Sequence, residues 1–145
     1  VVQPFEITYE VLIHAPHRTP ETTPDYGTGA EKRGCKAFIG AAGLAAHLAG
    51  AVSAIAVRPV IGVPMEGGPL KGQDALLSTV MMPGGIPVAT VAIGSAGAKN
   101  AAYLAAHIMA VSDEALAQQL RDERETNTVK ILARNEEVQK ELGPT

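Results

Sequence analysis

Short β-favouring runs alternate with helical segments along this chain, and that alternation restricts its fold more than any other feature. Ile7–Ile13 alternates apolar and polar side chains, and Lys36–Gly40 is a short apolar run following a glycine. Pro59–Pro64 reads Val-Ile-Gly-Val between prolines, and Val88–Ile93 reads Val-Ala-Thr-Val-Ala-Ile. These four runs are expected to be strands. Between them, Thr23–Arg33, Leu44–Ala56, Gln73–Val80 and Ala96–Ala110 have helical character, the first weakened by Gly27 and Gly29. Strand and helix in turn predict an α/β fold, a parallel sheet with helices on both faces.

At 145 residues the chain is expected to be a single domain, 1–145, with a polar C-terminal helix and tail from about 112. Hydrophobic residues make up 46% but aromatics only 3%, so the packing should rest on close contacts between small side chains. Ala96–Ala110 is apolar nearly all round after its first turn, and such a helix is buried on more than one side. A subunit interface is the natural second partner. After Ser112-Asp113-Glu114, a helix start with an acidic pair, the chain turns polar, which reads as a surface helix followed by a frayed tail.

The net charge of −3 and the lack of a basic run argue against nucleic acid, whose phosphates need clustered Lys and Arg. The apolar stretch 37–64 is broken by His47, Arg58, Pro59 and several glycines, so it fails as a membrane span. No secretory signal is visible, and a cytoplasmic location is the default expectation. The single Cys35 cannot form an intrachain disulfide and is read as a small packing hydrophobe.

Three regions could carry chemistry. His14-Ala15-Pro16-His17-Arg18-Thr19-Pro20 follows the first expected strand, at the end of the sheet where open α/β folds keep their ligand sites. Imidazole exchanges protons near neutral pH and guanidinium suits phosphate or carboxylate, while Pro16 and Pro20 stiffen the loop. An ordinary ordered turn fits the same residues. The small-residue stretch Gly40–Gly50 reads as a turn between strand and helix, either an anion cradle or a place of close helix–sheet packing. It has no Gly-x-Gly-x-x-Gly spacing and no Walker lysine. His47 within it is a packing residue or a ligand. The loop Glu66–Asp74 carries three glycines and could act as a flap, with Asp74 as a dipole or capping residue and Lys71 solvated. Metal binding has little support, because the histidines at 14, 17, 47 and 107 show no paired spacing beyond His14-x-x-His17.

Six blocks in order carry a family resemblance. They are His17-Arg18-Thr19-Pro20, Ala45-Ala46-His47-Leu48, Pro59–Pro64, Leu70-x-Gly72-x-Asp74-x-Leu76-x-Ser78, Met82-Pro83-x-Gly85 through Ile93, and Gly97-Ala98-x-Asn100-Ala101-Ala102. From about residue 6 to 112 the chain resembles the bacterial N5-carboxyaminoimidazole ribonucleotide mutases. The resemblance implies a three-layer α/β/α sandwich with a parallel, flavodoxin-like sheet, a homo-octamer, and a nucleotide substrate handled without cofactor or metal. It implies that His17 protonates the carbamate nitrogen, carbon dioxide leaves and is attacked by ring carbon C4, and His17 then takes the C4 proton. Arg18, Ala15, His47 and the Ala41-Ala42-Gly43-Leu44 turn are implied as substrate-binding. Arg18 favours the mutase over an animal-type carboxylase, which carries lysine there and uses free carbon dioxide.

The chain departs from the family pattern at several points. Ala15-Pro16 stands where the family has Ser-Ala, Ala41-Ala42-Gly43-Leu44 where it has Gly-Ala-Gly-Gly, and Leu48-Ala49-Gly50 where it has Leu-Pro-Gly. The family's first strand and its Gly-Ser-x-Ser-Asp phosphate turn have no counterpart in residues 1–5. The expectation is that the natural protein contains that segment. These departures motivate an alternative, a non-catalytic oligomeric relative.

Overall fold

Phe38–Gly43 (β1), Val60–Met65 (β2) and Ala89–Thr90 (β3) form a parallel sheet in the order β1-β2-β3 in the computed structural model, which describes residues 5–20 and 22–143. Among the described residues five helices complete the order: α1 (Thr22–Lys32), α2 (Leu48–Ser53), α3 (Gln73–Val80), α4 (Gly94–Ala110) and α5 (Glu114–Leu142). The expected α/β class with a parallel sheet is therefore observed. Two compact units divide the chain, one up to Ala106 and one from His107 onward.

Paired glycines let the first unit close. Gly40 and Gly62 face each other in register, and a Cβ on Gly40 would lie 3.1 Å from Ala49 Cβ. A Cβ on Gly62 would lie 2.4 Å from Thr79 Cγ2 and 3.5 Å from Ala49 Cβ. Both glycines thus point at α2 and α3, which share one face of the sheet and seat directly on the strand backbone. Ala30, Phe38, Ala49, Val52 and Val60 form a buried cluster there. Ser53 Oγ donates to Pro87 O at 2.7 Å and ties α2 to the segment entering β3. β2 is buried from Val60 through Pro64, as a central parallel strand should be.

The first expected strand is not one. Ile7–Ile13 makes no ladder, and Val11, Leu12 and Ile13 are exposed. Alternation sets which side chains share a face, but a strand needs a neighbour to pair with, and among the described residues none pairs with this segment. Side chains hold the segment to α1 instead. Arg33 donates from Nε and Nη2 to the two carboxylate oxygens of Glu10 at 3.1 and 2.8 Å, with the Arg33 guanidinium 5.8 Å from the Tyr26 ring centre.

Other boundaries move too. β1 starts and ends later than the expected Lys36–Gly40, because Ala41, Ala42 and Gly43 continue the ladder opposite Val63, Pro64 and Met65. The helix expected over Leu44–Ala56 shortens to α2, since residues 44–47 turn. β3 is confined to Ala89–Thr90 within the expected Val88–Ile93. Of the two readings of Asp74 the dipole one holds, since it stands in the first turn of α3, while Gly72 takes the N-cap at φ 87° with no side-chain cap. In the second unit the expected frayed tail is helical, and α5 runs on to Leu142. Its start is as read, with Asp113 accepting from Leu116 N at 3.0 Å. No helix among the described residues is long and apolar enough to cross a membrane.

Candidate active site

The loops that leave the carboxyl ends of β1, β2 and β3 converge. A Cβ on Gly68 would lie 2.8 Å from Leu44 Cδ2, one on Gly72 2.8 Å from Ile93 Cγ2, and one on Gly94 3.6 Å from Glu66 Oε1. Residues 44–47, 66–72 and 91–94 therefore form one rim, the usual ligand end of an open parallel sheet.

The His17 loop reaches this rim. Ala15 O accepts from Arg18 N and Thr19 N, both at 2.7 Å, and from Thr19 Oγ1 at 3.1 Å, which closes residues 15–19 into a tight turn. Thr22 Oγ1 gives its proton to Thr19 O at 2.9 Å, so it accepts from His14 Nδ1 at 3.2 Å. With Nδ1 donating there, His14 Nε2 is buried without a hydrogen-bond partner among the described residues. At the tip of the turn, His17 Nε2 lies 2.7 Å from His47 Nδ1, with the rings 4.8 Å apart and nearly perpendicular at 86°. His47 is placed by the N-cap of α2, where its carbonyl accepts from Ala51 N at 2.9 Å.

A hydrogen bond between two imidazoles needs one donor and one acceptor. When His17 is protonated both its nitrogens donate: Nε2–H is directed at His47 Nδ1, and Nδ1–H remains free for another group. His47 then carries its own hydrogen on Nε2. The pair is exposed, so it can give or take a proton at the surface of the rim.

The remaining expected residues divide into two groups. Arg18 is exposed one residue from His17 and forms no ion pair among the described residues. Ala15 is half-buried, its carbonyl consumed by the turn. Ala41, Ala42 and Gly43 are strand residues rather than the expected turn, and only Leu44 turns. Leu44 sits at φ 57°, the left-handed region that favours glycine, with its side chain 55% exposed. Ser78 was visible in the sequence only as the end of a matched block. In the fold its hydroxyl accepts from Ala46 N at 2.9 Å, one residue before His47.

The family model described as AIR carboxylase matches residues 1–130. The chain belongs to the AIR carboxylase family. Among its relatives, the N5-carboxyaminoimidazole ribonucleotide mutase of Bacillus subtilis (strain 168) is 48% identical over 128 residues, covering 88% of this chain and 78% of that protein. The mutase of Escherichia coli (strain K12) is 44% identical over 128 residues, 88% of this chain and 76% of its own. The crystal structure of Treponema denticola PurE superposes with a TM-score of 0.82 at 28% identity, covering 95% of this chain and 85% of that one. The family resemblance read from six sequence blocks is thereby met, and so is the flavodoxin-like fold.

Proposed function

We infer that this member of the AIR carboxylase family is an isomerase that converts N5-carboxyaminoimidazole ribonucleotide to 4-carboxyaminoimidazole ribonucleotide in purine biosynthesis. The single observation carrying that reading is identity of 44–48% to proteins named as that mutase over most of the chain. Arg18 supports the mutase over carboxylation with free carbon dioxide.

The site chemistry follows from the imidazole pair. Protonated His17 donates from Nδ1 to the carbamate nitrogen, and the N–CO2 bond breaks to release carbon dioxide and the free amine. The ring carbon C4 attacks the carbon dioxide, and His17, now neutral, removes the C4 proton as the ring regains aromaticity. His17 ends protonated, as it began, so the isomerisation needs no cofactor. Throughout, His47 Nδ1 accepts from His17 Nε2–H and keeps the opposite nitrogen aimed at substrate, as a base-orienting partner does. Arg18 holds the phosphate end, and Ala15, the end of β1 from Ala41 to Gly43, and Leu44 border the imidazole ring.

His17→Asn keeps a polar side chain but cannot cycle a proton, so turnover should fall by about 100-fold or more, with the far-ultraviolet circular dichroism unchanged. Retained full activity would remove His17 from the mechanism. The half-buried apolar face of α4 supports association with further copies, and the family resemblance makes that assembly a homo-octamer, with the cytoplasm as its place by default. Light scattering should give the mass of eight chains, and a monomer mass would end that reading.

A further inference from the structure

Thr79 Oγ1 of α3 donates to Ala75 O at 2.7 Å and lies 3.4 Å from Ala46 O, and Ser78 is the α3 side chain that takes up the Ala46 N–H beside the imidazole pair. Its hydroxyl donates its single proton to Asp74 O at 2.7 Å within the helix, and a lone pair accepts from Ala46 N at 2.9 Å. Ala46 is buried, 2% exposed, so its N–H has no water to turn to and depends on that oxygen. Neighbouring bonds bend the chain tightly there: His47 N donates to Ala45 O at 3.0 Å, immediately before α2 begins. A change at Ala46 is therefore passed directly to His47.

We propose that Ser78 is a positioning residue that sets the His17–His47 geometry by holding the Ala46 N–H. This rests on the reading of the pair as the proton-transfer centre. The route runs from α3, whose place is fixed by Thr79 against Gly62 of β2, through Ser78 Oγ to Ala46, and on to the His47 ring. His17 lies on a turn stabilised by its own internal bonds, so the 2.7 Å contact depends on where α3 holds His47.

The test uses Ser78→Ala in the full chain, with two readouts. The nitrogen resonances of the His17 and His47 rings should both move in Ser78→Ala. They should move less in Ser78→Cys, whose sulfur accepts more weakly, and this second variant carries the test if the alanine variant does not fold. In turnover, Ser78→Ala should lose on the order of 10-fold in kcat with a smaller change in KM. The same substitution made in a His47→Gln background should cost nothing further. A merely structural serine would give equal losses in both backgrounds and leave the ring resonances in place, which would overturn the proposal. Absence of turnover in the unaltered chain would instead overturn the mutase reading, while the ring spectra would still decide the role of Ser78.

Discussion

At the scale of single residues, two positions define the candidate site and one strains it. His17 and His47, thirty residues apart in sequence, meet at 2.7 Å because a turn closed on Ala15 O and the N-cap of a short helix deliver them to one rim. Leu44 sits beside them at φ 57°, a conformation that costs a branched-chain residue about 1–2 kcal/mol. Glycine relieves that cost but loses more freedom on folding, so Leu44→Gly should stabilise the protein by a net amount of about 0.5–1 kcal/mol in thermal melts. A destabilised Leu44→Gly would mean that the contact of its side chain with Gly68 outweighs the backbone strain. The sequence made His17, Arg18 and the odd Leu44 legible, because each interrupts or completes a recognisable block. It left His47 open between packing and ligand, since the ring it meets, His17, is distant in the chain. Ser78 was hidden for the same reason: its role is a bond to a backbone N–H thirty-two residues away.

Among elements, local pattern read correctly where pairing partners were close at hand. The Pro-bounded run became β2 and the acidic Ser112-Asp113-Glu114 start became α5, because caps and buried runs are local signals. Ile7–Ile13 failed because alternation can propose a strand but cannot supply its neighbour. What holds it is the pair of Glu10 with Arg33, the residue that follows α1, and hydrogen bonding from Arg33 keeps the Glu10 carboxyl below its ordinary value of 4.5. A carboxyl whose pKa is depressed by folding contributes stability above its unfolded value, and that contribution is lost as pH falls through the folded one. Glu10→Gln should therefore melt lower than the parent at pH 7, with the gap closing progressively below pH 4.5. A gap of constant size from neutral to acidic pH would show that the pair does not anchor the segment through charge. Between α1 and β1, burial raises the Cys35 thiol above its ordinary value, and Cys35 packs against the cluster of Ala30, Phe38, Ala49, Val52 and Val60, as its sequence context implied.

For the whole molecule, small residues set the architecture. Gly40 and Gly62 bring two helices onto the strand backbone, and the three strand ends then gather their loops into a single rim. The fold places an exposed imidazole pair and an arginine there, and the reaction proposed for that arrangement rests on kinship to proteins named as mutases. The central claim is that His17 moves one proton within one substrate, so free carbon dioxide is neither consumed nor released overall. The most direct measurement offers the chain N5-carboxyaminoimidazole ribonucleotide in one reaction and aminoimidazole ribonucleotide with bicarbonate in another, following 4-carboxyaminoimidazole ribonucleotide in both. The account predicts rapid product from the first and little from the second. Product formed chiefly from aminoimidazole ribonucleotide and bicarbonate, or from neither, would contradict it.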